Sequence, residues 1–149
     1  MLLKLLPDQV AKYWHDVSLA IERSLPPVVG EHPDKMNRIL ERLLTGEMQC
    51  WAAYRKNEEI QFIGFVVTTV TTDYCSMTRN LLLYCICGFE KTNLQDWKEG
   101  YIALVKYGHA MQCNRIVAYT KQENLINLAK RMGGEVDYRF ISVPLDGSV

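Results

Sequence analysis

Two closely spaced thiols, Cys85 and Cys87, are the first residues in the sequence whose types and spacing suggest chemistry. Metal-binding and redox thiols usually occur as Cys-x-x-Cys pairs with further cysteines or histidines nearby. The Cys-x-Cys spacing instead places both thiols on one face of a strand, and no histidine is close in sequence. We therefore expect all five cysteines to be reduced residues of the protein core, and we expect no metal site.

The three histidines give no catalytic pattern either. His15, His32 and His109 are widely separated, and no two of them have the spacing of metal ligands. Each is expected at the surface or at a helix end. Because no nucleophile is paired with a base in the sequence, any chemistry depends on elements that bring distant side chains together.

The composition is typical of a globular protein. Of 149 residues, 48% are hydrophobic and 23% are charged, which predicts one domain covering residues 1–149. Lys and Arg number 17, and so do Asp and Glu, so the basic excess typical of nucleic-acid binding is missing. No run approaches the ~18 apolar residues of a membrane span, and the apolar start of the chain ends at Pro7, too early for a secretory signal. We expect a cytoplasmic protein without nucleic-acid or membrane contacts.

The N-terminal third is predicted to be mostly helical. A short strand or arm precedes a helix that is capped by Asp8 and that ends before Pro26. After a proline-containing linker, a second helix begins at Pro33 and ends at Gly46, where a glycine suits the left-handed conformation that follows many helices.

The rest of the chain alternates strands and helices. β-branched and aromatic runs indicate three strands, 49–55, 60–72 and 78–89, which form an antiparallel meander. They are followed by a long helix, 93–112, a short strand, 115–120, a helix, 123–132, and a last strand, 136–143. The crossover through the long helix makes the strands on either side of it parallel. The fold class is therefore α+β, with a mixed, mostly antiparallel sheet flanked by helices.

This order of elements resembles the GNAT superfamily of acetyl-CoA-dependent N-acyltransferases over nearly the whole chain. Ile63-Gly64-Phe65 is similar to the family's hairpin, Asn114–Thr120 to the strand after its cofactor helix, and Gln122–Gly134 to its last helix and glycine exit. The resemblance implies an acetyl-CoA cleft where the parallel strands part, with the strand backbone pairing with the pantetheine arm. The cofactor-binding residues that it implies are Cys85, Ile86, Cys87, Phe89, Lys91, Thr92 and Asn93.

The cofactor loop departs from the family's pattern. The family binds the cofactor's pyrophosphate on the N–H groups that begin the long helix, beside a Gln/Arg-x-x-Gly-x-Gly/Ala loop. The corresponding segment, 88–97, has a single glycine, Gly88, which precedes the loop, while Asp96 and Glu99 add negative charge to the first turns of the helix. Lys91 offsets part of this charge. The degenerate loop is therefore predicted to be an ordinary capped helix start.

The general acid that the resemblance implies is also missing. Alignment on Gly133 puts Ala129 where many family members have a tyrosine, and alignment on Asn124 puts Arg131 there. Four other tyrosines fall in apolar patterns and are expected in the core: Tyr84, Tyr101, Tyr119 and Tyr138.

Two functions remain open. The first is a catalytically silent GNAT-like binding or structural component, with a protein partner or self-association, for which the linker from Leu25 to Pro33 is a candidate segment. Small proteins with eroded cofactor loops resemble some encoded by bacteriophages, including ones packaged in the virion. The second is a divergent N-acetyltransferase that transfers acetyl from acetyl-CoA to an unidentified amine, with Glu90 as the general base.

Overall fold

Five strands form one sheet, in which they pair in the order in which they follow one another along the chain. The structure, a computed structural model, describes residues 1–88 and 91–146. The strands are β1 (Leu2–Lys4), β2 (Met48–Lys56), β3 (Ile60–Asp73), β4 (Thr78–Gly88) and β5 (Arg115–Ala118). The pairs β1–β2, β2–β3 and β3–β4 are antiparallel and the pair β4–β5 is parallel, so the predicted mixed sheet is confirmed.

The described residues contain five helices. They are α1 (Pro7–Lys12), α2 (Trp14–Arg23), α3 (Lys35–Thr45), α4 (Leu94–Ala110) and α5 (Glu123–Arg131). The helix α3 ends as predicted, because Gly46 adopts φ 86°, which a glycine reaches without the strain of a Cβ. None of the helices in the part of the chain that the structure describes combines the length and the apolar character that a bilayer crossing requires.

The prediction of a single N-terminal helix is wrong, because the segment forms the two helices α1 and α2. Tyr13 separates them, with φ −104° and ψ 17°. The cap is also two residues earlier than the expected Asp8: Leu6 caps α1, and its N–H donates to Oε1 of Gln9 at 2.8 Å. Pro7 therefore takes the first helical position, where its missing N–H has no helical partner to lose. The apolar periodicity runs through Tyr13 without interruption, so it gave no sign of the break.

The sheet has an apolar core on each face, because successive residues of a strand point to opposite sides. Cys50 and Val67 pack against α1, α2 and α3, whereas their neighbours Trp51 and Val66 pack on the side of α4. On the first side the helices contribute Val10, Val17, Ile21, Ile39 and Leu43, and on the second α4 contributes Leu104.

The strand predicted at 136–143 is wrong in this structure. The chain follows no helix or strand geometry there, and no backbone group of 135–145 is hydrogen bonded to a backbone group of another described residue. A strand is stabilised by the hydrogen bonds of a neighbouring strand. The alternating sequence is therefore typical of a strand, but among the described residues it has no neighbouring strand with which to pair. The remaining predicted elements are confirmed to within a few residues at each end.

Candidate functional site

β4 and β5 run side by side for only four residues. Their parallel pairing joins 80–83 to 115–118 and ends at Leu83 and Ala118. Beyond Leu83, β4 continues to Gly88, where it is paired with β3 and, among the described residues, with no strand on its other side. One edge of β4 from Tyr84 to Gly88 is therefore available to hydrogen bond a ligand, at the point where the two parallel strands part.

A β-bulge coincides with the end of this pairing. Val67 pairs with Cys85, but the next residue of β3, Thr68, pairs with Leu83, so Tyr84 is the extra residue. A bulge leaves one residue outside the ladder and increases the local twist of the strand. The bulge therefore lies at the residue where the parallel pairing of β4 with β5 has just ended.

Gly64 holds β3 close to β4 opposite the opening. A Cβ built at Gly64 would overlap the carbonyl oxygen of Cys87 and approach Cα of Gly88 to 3.1 Å. Because the overlapping atoms belong to the backbone, a side chain here would require the strands to separate. This contact gives a physical reason for the glycine in the Ile63-Gly64-Phe65 motif.

The predicted cofactor residues of β4 divide between its two faces. Cys85 is buried on the side of α1–α3, whereas Ile86 packs on the side of α4. Burial raises the pKa of Cys85 to about 11, although a hydrogen bond with Ser24 opposes this change, and burial also raises the pKa of Cys87. Both thiols are therefore protonated at neutral pH, and their side chains are suited to packing rather than to nucleophilic attack.

The cysteines differ in their exposure to solvent. All five cysteines are free, and Cys75 is exposed in the turn between β3 and β4, which corrects the expectation that every cysteine lies in the core. Among the residues that the structure describes, no group of three His, Cys, Asp or Glu side chains is placed to hold a metal ion.

Phe89 and Glu90, predicted as a cofactor contact and as the general base, lie outside the described residues.

The start of α4 is closed by a reciprocal cap. Oδ1 of Asn93 accepts a hydrogen bond from the N–H of Asp96, and Oδ2 of Asp96 accepts one from the N–H of Asn93, both at 2.9 Å. This capping box satisfies two N–H groups at the end of the helix where the family binds pyrophosphate. Of the other predicted loop residues, Thr92 is half-buried and Lys91 is exposed.

An arginine from β2 completes the cap. Nη2 of Arg55 donates to Oδ2 of Asp96 at 2.6 Å and to the carbonyl oxygen of Lys91 at 2.7 Å, and Nε also donates to Asp96. The Asp96 side chain is only 11% exposed and that of Arg55 25% exposed. The hydrogen bond from Arg55 is the main reason that the pKa of Asp96 lies below its usual range. Asp96 is therefore ionised at neutral pH and joined to a residue 41 positions away.

A second carboxylate lies one turn further along α4. Oε2 of Glu99 accepts a hydrogen bond from the amine of Met1 at 3.1 Å. The pKa of Glu99 is lowered, first by a hydrogen bond from Gln95 and then by the amine. These residues line a cavity of about 230 Å³ together with Arg55 and Asp96. The first two turns of α4 thus carry two ionised carboxylates.

Neither position that the resemblance assigns to a general acid holds a tyrosine. Ala129 is half-buried and Arg131 is exposed, both on α5. The expectation that the four remaining tyrosines lie in the core is wrong for Tyr101 and Tyr138, which are exposed. Tyr84 and Tyr119 are half-buried, and Tyr84 packs against the core.

Tyr84 and Tyr119 were not distinguished from the other tyrosines by the sequence, yet both lie where the parallel strands part. Tyr84 is the bulged residue of β4, and Tyr119 follows the last paired residue of β5. Burial is the largest cause of a raised pKa for Tyr84, so its hydroxyl is protonated at neutral pH. The ring of Tyr119 meets that of Phe140 edge-on, with centroids 6.1 Å apart. Only the register of the strands, which the sequence does not display, brings these two tyrosines to the opening.

The linker predicted to bind a partner borders a different opening. Within it, Pro26 is buried and Val28 is 53% exposed. A wide cavity of about 450 Å³ between the end of α2 and the start of α3 is lined by Glu22, Glu31, His32, Pro33, Lys35 and Met36. All three histidines of the protein are exposed.

Comparison with known proteins assigns the fold. No sequence model of a protein family matches the chain, and no curated protein sequence matches it. Solved structures do match. One is an aminoglycoside acetyltransferase from an uncultured soil metagenomic sample, in complex with sisomicin. It superposes with a TM-score of 0.68 and 12% sequence identity, over 98% of this chain and 96% of its own. The chain has the GNAT fold.

Two further GNAT-fold structures cover almost the whole chain. The aminoglycoside acetyltransferase AAC(6')-Iy, in complex with a bisubstrate analogue containing CoA, matches with a TM-score of 0.65 and 18% identity over 97% of this chain and 96% of its own. A ribosomal-protein-alanine N-acetyltransferase from Brucella melitensis biovar Abortus 2308 matches with a TM-score of 0.64 and 11% identity over 97% and 99%. The predicted fold is confirmed, and at these identities the likeness concerns the fold and not the site.

Proposed function

We propose that this GNAT-fold protein is catalytically silent as an acetyltransferase and acts as a binding or structural component. The observation that carries the proposal is the Asn93–Asp96 capping box with its ion pair to Arg55. A pyrophosphate arriving at α4 would meet the Asp96 carboxylate in the position that the helix N-terminus offers to an anion. It would have to displace Asp96 from both Asn93 and Arg55 before it gained equivalent hydrogen bonds.

The energetic comparison depends on hydrogen bonds to charged groups, which contribute about 1.5–3 kcal/mol each. A pyrophosphate would form such bonds at the start of α4, but it would first have to break those that the cap already makes. The cap already has its charged hydrogen bonds with Arg55, and Glu99 adds a second negative charge one turn away. The absence of a tyrosine at Ala129 and Arg131 supports the same proposal, because the departing thiolate of CoA then lacks its usual proton donor.

The test is thermal unfolding with and without acetyl-CoA, with CoA and ATP as comparison ligands. A ligand at about 100 times its Kd adds about 2.7 kcal/mol to the free energy of unfolding, which corresponds to about 8 °C in a protein of this size. We expect no increase that is specific to the CoA compounds. A specific increase in Tm would refute the proposal that the cofactor site is closed.

A second candidate, a divergent N-acetyltransferase, is favoured by the opening between β4 and β5. The free edge of β4 from Tyr84 to Gly88 would hydrogen bond a pantetheine arm through its backbone, which requires no particular side chain. For this candidate, Lys91→Glu is expected to weaken acetyl-CoA binding at least severalfold in isothermal titration calorimetry, because an exposed positive charge beside the loop becomes negative. Lys98→Glu, an equal change of charge on the exposed side of α4, serves as the control. Equal affinities of the two variants would count against a phosphate contact at Lys91.

A further inference from the structure

Beyond Leu83, one edge of β4 has no neighbouring strand among the described residues. Apart from the pairing with β3, no backbone group of Tyr84–Gly88 is hydrogen bonded to the backbone of another described residue. An edge of this kind presents N–H and C=O groups in the geometry with which an extended peptide pairs. The cap at the start of α4 opposes a pyrophosphate there, but it leaves this edge of β4 open.

The two faces of β4 offer different surroundings to an added strand. Ile86 packs with the apolar residues on the side of α4, whereas Tyr84 and Cys85 lie on the side of α1–α3. Successive side chains of a strand point to opposite faces, so every second side chain of an added strand would lie on the apolar side, beside Ile86. The remaining side chains would lie on the side of α1–α3.

The side of α1–α3 carries positive charge beside the free edge. The helix α2 packs against β4 and ends at Arg23, and Arg42 lies on α3. Burial raises the pKa of Tyr84, and the charge of Arg42 opposes this rise. Burial also raises the pKa of Cys87, and a hydrogen bond with Ser24 and the charge of Arg23 oppose that rise. Each guanidinium group is therefore near enough to act on a side chain of the free edge.

Neither arginine is held by a strong partner in the part of the chain that the structure describes. No hydrogen bond or ion pair joins Arg23 to another described residue. Arg42 forms an ion pair with Glu47 at 3.7 Å, but the two side chains are 61% and 64% exposed, and exposed pairs contribute little. Acidic side chains of a ligand would complement these two positive charges.

We propose that the free edge of β4 binds an extended segment of a partner protein as an added strand, in which acidic side chains alternate with apolar ones. The apolar side chains would lie beside Ile86, and the acidic ones on the side of Arg23 and Arg42. Hydrogen bonds of the backbone would supply affinity, and the two faces would supply specificity. This inference rests on the proposed binding role, because a CoA arm in the same opening would compete for the same backbone groups.

The first test uses a capped pentapeptide in which glutamate alternates with valine, added to 15N-labelled protein and followed by NMR. We expect the amide resonances of Tyr84–Gly88 to shift. A peptide with lysine in place of glutamate is expected to bind about tenfold more weakly, since favourable charge pairs become unfavourable. The absence of shifts in β4 at millimolar peptide, or equal affinities of the two peptides, would overturn the proposal.

Charge reversal in the protein locates the acidic side chains. Arg23→Glu is expected to abolish the preference for the glutamate peptide. Arg38→Glu makes the same change at an exposed position of α3 and is expected to leave the preference unchanged. Equal effects of the two substitutions would contradict a site beside β4, because they would show that only the net charge matters. Circular dichroism verifies that each variant is folded.

Methylation of the peptide nitrogens tests the strand pairing itself. In an extended chain the N–H groups of successive residues point to opposite sides, so only every second N–H faces β4. Of two glutamate peptides, one N-methylated at its valines and the other at its glutamates, one is expected to lose binding and the other to retain it. Equal binding of the two methylated peptides would refute pairing through the backbone.

Acetyl-CoA in a parallel titration keeps this inference separate from the proposed function. Shifts of the β4 amides on addition of acetyl-CoA would refute the closed cofactor site, whatever the peptides do. A protein that responds neither to acetyl-CoA nor to the glutamate peptide would overturn the added strand alone. Shifts with the glutamate peptide and none with acetyl-CoA are the expected result.

Discussion

Replacement of Asp96 by alanine tests the central feature of the proposed function, the closed start of α4. The substitution removes the acceptor for the N–H of Asn93 and the partner of the Arg55 guanidinium. Loss of a helix cap costs about 1 kcal/mol, and loss of a charged hydrogen bond at a partly exposed pair costs about as much again after allowance for screening by solvent. We therefore expect the free energy of unfolding to fall by about 2 kcal/mol, and Tm to fall by about 6 °C.

The assay separates the cap from the charge. Chemical denaturation of Asp96→Ala and Asp96→Asn is compared with wild type, since the asparagine oxygen still accepts from Asn93 but has no charge for Arg55. Asp96→Asn is expected to lose about half as much stability as Asp96→Ala. A double-mutant cycle with Arg55→Met should give a coupling of about 1 kcal/mol.

The pH dependence has a defined sign. The pKa of Asp96 is lower in the folded protein than its usual value of about 3.9, so its stabilising effect is complete above that value and is lost as the pH falls through the folded pKa. The difference between wild type and Asp96→Ala is therefore expected to be constant near neutrality and to shrink below about pH 4. If Asp96→Ala lowers the free energy of unfolding by less than 0.5 kcal/mol at pH 7, the assignment of Asp96 as a stabilising cap is refuted.

Three further outcomes are expected. Gly64→Ala should destabilise the protein by about 2 kcal/mol in chemical denaturation, because its Cβ would overlap the backbone of β4. The control Gly100→Ala faces open space in α4 and should stabilise the protein by about 0.5–1 kcal/mol. Similar effects of the two substitutions would contradict the close approach of β3 and β4. In mass-spectrometric labelling of the folded protein, Cys75 should react rapidly and Cys85 slowly, because Cys85 is buried and its pKa is about 11; rapid labelling of Cys85 with the fold intact would contradict its structural role. Thr68→Val should lower the free energy of unfolding by about 3 kcal/mol in thermal unfolding, because the buried hydroxyl accepts a hydrogen bond from Trp51 and donates one to Gln49. A decrease below 1 kcal/mol would show that Trp51 and Gln49 form other hydrogen bonds in the variant.

The sequence predicted much of the architecture because local patterns encode it. The β-branched and aromatic runs predicted three long strands, and β2, β3 and β4 are found within two residues of the predicted ends. The crossover through a long helix predicted the parallel pairing of β4 and β5. The negative charge of Asp96 at the start of α4 was also visible, as was the absence of a Gly-x-Gly loop.

Only the tertiary structure decided how these parts meet. It brings Arg55 from β2 onto Asp96, ends the parallel pairing at Leu83 beside the bulge at Tyr84, and leaves 136–143 without a neighbouring strand among the described residues. None of these follows from propensity, because each depends on the register between segments that are distant in the chain. Periodicity determines which face of an element is apolar, whereas the packing of all the elements together determines which distant backbone and side chain stand opposite each other.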